Sequence, residues 1–479
     1  MKKQSLTEKM EKLRKLFSEA PDFVVRELKT GGKAAALVYF EGATDKKLLV
    51  LGVLNPLIEF KETDSKDIIS TLTKEVIKNT QVLPTKDENE YIQNILDGFS
   101  VLLIDGEKQA LQIKTDGWIT RLPGEPPTSA VIKGPREGFV EDLGINLTLI
   151  RKRLKTSDFV AKRMLIGKYT TTKVCLCYIN SIADPKIVKK LEERIKQIDV
   201  DGIIDSFYIQ AQLENHGHNL FKQFGSTEKP DIVAAKVLEG RVAILVDGSP
   251  IVLTVPFLLI EDFQNSNDYY TKSIHGTFLR WMRLFSTVIA VLLPGAALSV
   301  VLFHYKLLPL KFLITVMNTT QGIPFAPMLE ILFIILLFEI LYESSLRMPR
   351  YLGLALSVVG ALVLGDTAVK AGLVSPPAIM IVALTGVMLY TMPDQEQQLA
   401  LLRIVFTIIG GMLGLFGVLI GAVFIIAYLA NLDSYGTPYL GPYAPYNAND
   451  TKDGLKVTPP TRQLTRPQSI PNINKRRQR

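Results

Sequence analysis

The sequence predicts an α/β region of two similar subdomains followed by an α-helical transmembrane bundle, and three observations carry that expectation. Charge is divided unevenly: residues 1–280 are dense in Lys, Glu and Asp, whereas residues 284–430 hold a dozen charges among long runs of Leu, Ile, Val, Ala and Gly. Two strand-like patterns in the first part recur, in order, at nearly one spacing. Two apolar stretches in the second part are long enough to cross a hydrocarbon core of about 30 Å. A chain of 479 residues also exceeds what one hydrophobic core ordinarily serves.

The repeat is read from two ordered matches. Ala35–Phe40 precedes Asp45-Lys46-Lys47-Leu48, and Val174–Ile179 precedes Asp184-Pro185-Lys186-Ile187, with Tyr39 and Tyr178 offset by 139. Val188–Ile195 then spaces its apolar residues on one helical face. Downstream, Val101–Gly106 runs into Ala110–Ile113 and Val242–Gly248 into Ile251–Thr254, offset by about the same amount, 142 (Gly248 to Gly106). Asp-Gly between apolar runs signals a hairpin, since Gly accepts the positive φ such turns require. The expected organisation is an N-terminal helical and basic segment (1–32), a first α/β subdomain (33–120), a connector and helix (121–167), a second α/β subdomain (168–262), a transmembrane region (282–430) and a basic cytosolic tail (431–479).

The connector Arg121–Pro127 is too rich in Pro and Gly for a helix. It leads through Gly134-Pro135-Arg136-Glu137-Gly138-Phe139 into a helix carrying Leu149–Arg153. Gly134 and Gly138 permit a tight backbone path. Gly134, Arg136, Glu137 and Gly138 form a motif expected to fix the two subdomains together, with Arg136 as the bridge. The alternative is an anion held by free N–H groups at the helix start.

Enzyme chemistry finds no support. There is no P-loop, nucleophile elbow, HExxH or dinucleotide fingerprint, and no cofactor or metal is expected. Cys175 and Cys177, two apart on a strand, share a face but are badly placed to bond each other. His216-Gly217-His218 sits in a polar stretch and reads as a solvated loop.

Leu284–Phe303 gives 20 uncharged residues and Ile404–Ala430 gives 27, each expected to span once. His304–Pro327 reads as loop or re-entrant segment. Met328–Tyr342 carries Glu330 and Glu339, which are costly at bilayer depth unless they line water or find partners; the segment lies at the interface or crosses with its Glu side inward. Four crossings are expected, with that segment interfacial. Tyr351–Gly365 and Ala371–Met392 form a helical hairpin. In it the small residues Ser357, Gly360 and Ala361 line a narrow pore or serve helix packing. Gly410, Gly414, Gly417 and Gly421 are read as helix-packing positions in the last span.

The formal charge of +8 does not signal nucleic acid, because residues 451–479 hold eight Lys/Arg against one Asp. A basic tail beyond a span marks the cytoplasmic face and suits anionic lipid; a merely solvated, disordered tail is the alternative. The N-terminus is charged throughout and is not a signal peptide.

Taken together, Arg121-Leu122-Pro123, Gly134–Glu141, Asn146, Leu149–Arg153, Glu228–Val233, Leu238–Pro250, Gly322-Ile323-Pro324-Phe325, Arg347-Met348-Pro349-Arg350 and Tyr435–Leu440 resemble the A subunit of the GerA family of spore germination receptors. A close relative of that branch is the stage V sporulation AF type. The resemblance implies a multi-pass subunit in the inner membrane of the spore, with cytoplasmic soluble domains. It further implies assembly with a transporter-like B subunit and a C lipoprotein, and homo-oligomerisation into an ion channel. A non-conducting scaffold coupling its partners is the rival expectation.

Overall fold

The computed structural model describes residues 5–17, 23–40, 44–61, 67–117, 134–154, 156, 158–214, 219–347 and 365–477. The chain divides into two compact units, Met1–Arg121 and Leu122–Arg479.

The first unit is built on a five-stranded antiparallel sheet of β1 (Phe23–Thr30), β2 (Lys33–Phe40), β3 (Val82–Thr85), β4 (Ser100–Ile104) and β5 (Ala110–Ile113), in the order β1-β2-β4-β5-β3. Its central strands are apolar on both sides because both are covered. Leu37, Leu102 and Leu111 face the helical stretch Leu48–Glu59 through Leu49, Val53 and Leu57. Val38, Val101 and Leu103 face α1 (Leu6–Leu16) and α2 (Glu88–Leu96) through Leu13 and Ile95. Helix α1 opens on a capping box between Ser5 and Glu8, which satisfies two otherwise orphaned N–H groups.

The second unit repeats that topology. Strands β6 (Phe159–Ile166), β7 (Thr172–Ile179), β8 (Gly225–Thr227), β9 (Val242–Val246) and β10 (Val252–Val255) are ordered β6-β7-β9-β10-β8. The register repeats as well: Leu37 pairs with Leu102 in the first sheet and Leu176 with Ile244 in the second, offsets of 139 and 142. Both sheets begin earlier than the sequence boundaries at 33 and 168, since β1 and β6 are edge strands of their sheets. One face carries Cys175, Cys177 and Leu245 against α3 (Leu143–Arg151) and α6 (Pro230–Leu238). The other carries Val174, Leu176 and Ile244 against α4 (Pro185–Lys196) and α5 (Ser206–Leu213). Both cysteines are free and buried.

Beyond the sheet come α7 (Ser273–Phe303), α8 (Leu310–Thr320), α9 (Pro327–Arg347), α10 (Pro376–Leu389) and α11 (Glu396–Asn431). Among the described residues two helices are long and apolar enough to cross a membrane, Ser273–Phe303 and Pro393–Asn431. The second corrects the expectation of one 27-residue span. At Gly414 the backbone takes φ +66° and ψ −161°, outside any helix, and the chain doubles back. A Cβ on Gly421 would lie 3.0 Å from the Phe406 ring, a contact that 15 residues of straight helix, about 22 Å, would forbid. Both ends of α11 return to one place. Gln395, just before it, donates to Asp262 at 2.7 Å, and Leu432, just after it, is joined through Tyr439 to Leu259.

Helix α9 is not a helix lying apart. Glu330 is buried and accepts from the Ser375 N–H at 2.5 Å, at the positive end of α10, while Glu339 meets Arg403 of α11 at 2.6 Å. The stretch 304–327 contains α8 rather than loop alone.

Residues 433–477 are folded against the rest of the second unit and are not a disordered extension. Ser434 and Thr437 close a tight hairpin whose corner residues, Tyr435 and Gly436, have φ +52° and +82°. Tyr435 is held there by an edge-to-face contact with Phe224 and by donating to the Leu213 carbonyl at 3.2 Å. Tyr439 and Ile470 are buried in the core that joins the sheet domain to α7 and α11. Arg466 donates to the Leu238 carbonyl at 2.7 Å.

Candidate functional site

The charged residues of the second unit converge where the sheet domain, α7, the turn before α11 and the tail meet. They surround a cavity of about 600 Å³. Its walls are the β8–α6 loop with α6 (Glu228, Lys229, Asp231, Lys236), the segment after β10 (Glu261, Asp262, Tyr269, Tyr270), Arg283 of α7, Thr391–Asp394, and Asp453 and Arg477 of the tail.

Three ion-pair groups join these parts. Glu261 receives Arg241 at 2.8 Å and Lys236 at 2.7 Å, and its own carboxylate accepts the Leu258 N–H at 2.9 Å. Burial opposes the Glu261 charge, yet the two cations hold its carboxyl below the usual range. Lys222 bridges Asp262 at 2.7 Å and Asp394 at 3.3 Å, tying the sheet domain to the turn before α11. Burial disfavours its ammonium, but Asp262 and Asp394 outweigh that and raise its pKa. Asp268, fully buried, accepts from Arg280 at 3.2 Å and Arg283 at 2.7 Å on successive turns of α7. Arg280 reaches on to Asp453 at 3.1 Å and to the Gly454 carbonyl at 2.5 Å. Burial pushes the Asp453 carboxyl up to about 6, against the pull of Arg280. Removing one partner from such a buried pair is far more damaging than replacing both.

The Gly134–Gly138 motif lies beside this cavity. Gly134, with φ +120°, rests against the Tyr270 ring, where a Cβ would come within 2.6 Å. Tyr270 in turn donates to Asp231 at 3.0 Å. Glu137 pairs with Lys152 at 2.8 Å and Arg153 at 2.9 Å, and those partners hold its carboxyl low. Arg136 is exposed and Gly138 buried. The start of α3 is not free for an anion: Asp142 accepts the Ile145 N–H at 2.7 Å and Asp247 the Leu143 N–H at 3.1 Å.

Gly410 lies against Gly295 so closely that either Cβ would collide with the facing backbone. Gly414 is the apex of the α11 hairpin, and Gly417 and Gly421 face Ile409 of the outgoing half. Ser357, Gly360 and Ala361, like His216 and His218, fall outside the described residues. The junction was not legible from motifs because its members come from five separate stretches of sequence. The one local signal was the charge of Glu228–Asp231 and Leu238–Arg241.

Among known proteins, the description Bacillus/Clostridium GerA spore germination protein matches residues 11–469. Spore germination protein KA of Bacillus subtilis (strain 168) is 32% identical over 479 residues, covering 99% of this chain and 88% of that protein. The uncharacterized membrane protein YfkQ of the same organism is 34% identical over 96% of this chain and 90% of its own length. Stage V sporulation protein AF, also from that organism, is 31% identical over 91% and 90%. The N-terminal domain of the A subunit of the Bacillus megaterium spore germinant receptor GerK3 is 27% identical, covering 54% of this chain and 99% of that one, with a TM-score of 0.22, too low to equate the two arrangements. With a match across nearly its whole length, the chain belongs to the GerA family of spore germination proteins.

Proposed function

We propose that this chain is the A subunit of a nutrient-responsive germination receptor, a multi-pass membrane protein that oligomerises and conducts ions when its junction is displaced. The observation that carries this reading is the Lys222–Asp262–Gln395 contact, which couples the sheet domain directly to α11. The pairing of Glu330 and Glu339 inside the helical region supports burial in lipid, because carboxylates at that depth need partners. Helices α7 and the first half of α11 run away from the junction, and α9, α10 and the second half of α11 run towards it. Among the described residues both the start of α7 and the end of α11 therefore lie at the junction. The soluble units and the tail then share the cytoplasmic side. A transporter-like B subunit and a C lipoprotein are the expected partners.

The test is ion release from liposomes holding the full chain, with and without those partners. Conductance that requires the chain, and that Lys222→Met lowers by more than it lowers the abundance of the protein, is the expected result. Vesicles that stay tight under all conditions would leave the non-conducting scaffold as the correct reading. Ser357, Gly360 and Ala361 are proposed to line the pore. Ala361→Leu should then stop conductance without loss of assembly, whereas a packing role predicts loss of the subunit from the membrane.

A further inference from the structure

We infer that the outward side of the helical stretch Leu48–Glu59 in the first unit rests on the surface of a phospholipid bilayer. The inward side of this helix, Leu49, Val53 and Leu57, fills the sheet core. Its outward side is apolar as well: Leu48, Val50, Leu51 and Ile58 are 48%, 41%, 66% and 56% exposed. The helix that takes the same place in the second unit, α4 after β7, buries Ile187, Leu191 and Ile195 in the same way, yet its exposed positions include Lys186, Lys189, Lys190, Glu193 and Lys196. The shared fold therefore asks for a charged outward side, as a surface helix ordinarily has, and the first unit instead presents aliphatic side chains to water, the mark of a contact surface. Three features select lipid as the cover. The bare surface of these four residues amounts to about two whole residues, where a stable protein interface takes about 20–30 residues a side. The ridge holds no aromatic or Arg side chain, the types that anchor protein partners, whereas Leu, Val and Ile lie readily at the boundary of headgroups and acyl chains. Residues 45–78 carry six Lys against six Asp or Glu, so no net charge directs the ridge to a charged partner and neutral phospholipid suffices. Such a contact requires the membrane location proposed above but not conductance.

The experiment uses the full chain in phosphatidylcholine nanodiscs, with an environment-sensitive fluorophore on a cysteine introduced as Leu51→Cys, Lys189→Cys or Phe424→Cys. The native Cys175 and Cys177 are buried, and the unsubstituted chain sets the background. Doxyl-labelled phosphatidylcholine quenches a label that touches lipid, and iodide quenches one that faces water. Phe424, 71% exposed on α11, is the membrane reference. The label at position 51 should lose fluorescence to doxyl lipid and be shielded from iodide, whereas the label at 189 should do the reverse. Leu51→Lys with Ile58→Lys, which gives this helix the outward chemistry of α4, should abolish lipid quenching of a label at Leu48→Cys without lowering the unfolding temperature. A label at 51 that iodide reaches as freely as at 189 would overturn the inference. So would a label at 51 shielded from both quenchers, since a protein surface then covers the ridge. Failure of doxyl lipid to quench at 424 would refute the membrane reading itself, whereas quenching at 424 without quenching at 51 confines the failure to this helix.

Discussion

Asp453 illustrates how one side chain fastens a distant segment. Its carboxyl lies between Arg280 and the Tyr269 hydroxyl, 3.1 Å from each. Its folded pKa of about 6 stands above the ordinary 3.8, so the folded state binds more protons than the unfolded one between those values. Stability should therefore fall as pH rises from about 4 to about 6 and then level off. Asp453→Asn should flatten that slope, as measured by denaturant unfolding at several pH values. A second single-residue test concerns Gly134, whose φ of +120° and contact with Tyr270 leave no room for a side chain. Gly134→Ala should destabilise the second unit by about 1–3 kcal/mol, a range expected for a residue forced into so unfavourable a conformation, read as a lowered melting temperature.

At the level of elements, the helices beyond residue 270 depend on close backbone approach and on paired charge. Gly410→Leu should separate α7 from α11 and remove the protein from the membrane, since Gly295 stands directly against it. Glu339→Gln should be destabilising by about 3–5 kcal/mol because it strands a buried Arg403, whereas Glu339→Leu combined with Arg403→Met should recover most of that loss. Thermal unfolding in detergent checks both. What the sequence revealed of these elements follows the range of the interactions that make them. β4 and β9 were readable as unbroken apolar runs, and the Asp-Gly corners at 105–106 and 247–248 as turns, because each is fixed locally. The edge strands Phe23–Thr30 and Phe159–Ile166 were missed because one side of each is exposed and carries charge, such as Arg26 and Lys162, leaving a weak pattern. Gly414 was readable only as one more small residue: its positive φ is imposed by the partners that close the hairpin, and composition does not register a reversal.

For the molecule as a whole, the duplication was legible and the docking of the tail was not. Tyr435, Tyr439 and Asp453 looked like parts of a polar extension because their partners, Phe224, Phe257 and Arg280, lie about 170 or more residues upstream. A chain ending at residue 432 should therefore lose more than a solvated appendage. It uncovers Arg280 and the core around Phe257, and we expect reduced abundance and a lower unfolding temperature for the remainder. Unchanged stability after that truncation would show the tail to be dispensable for the fold.

The reversal at Gly414 also bears on how the protein is made. Under the membrane arrangement we propose, a helix pair that leaves the junction and comes back can enter the bilayer as a single hairpin, from the side on which the ribosome delivers it. Its outgoing half, residues 396–413, covers about 27 Å at 1.5 Å per residue, close to the depth of the hydrocarbon. Residues 451–479 carry eight Lys/Arg, and in that arrangement the hairpin spares every one of them a passage through lipid. In that arrangement the tail needs no translocation step and is free to fold onto a sheet domain already complete.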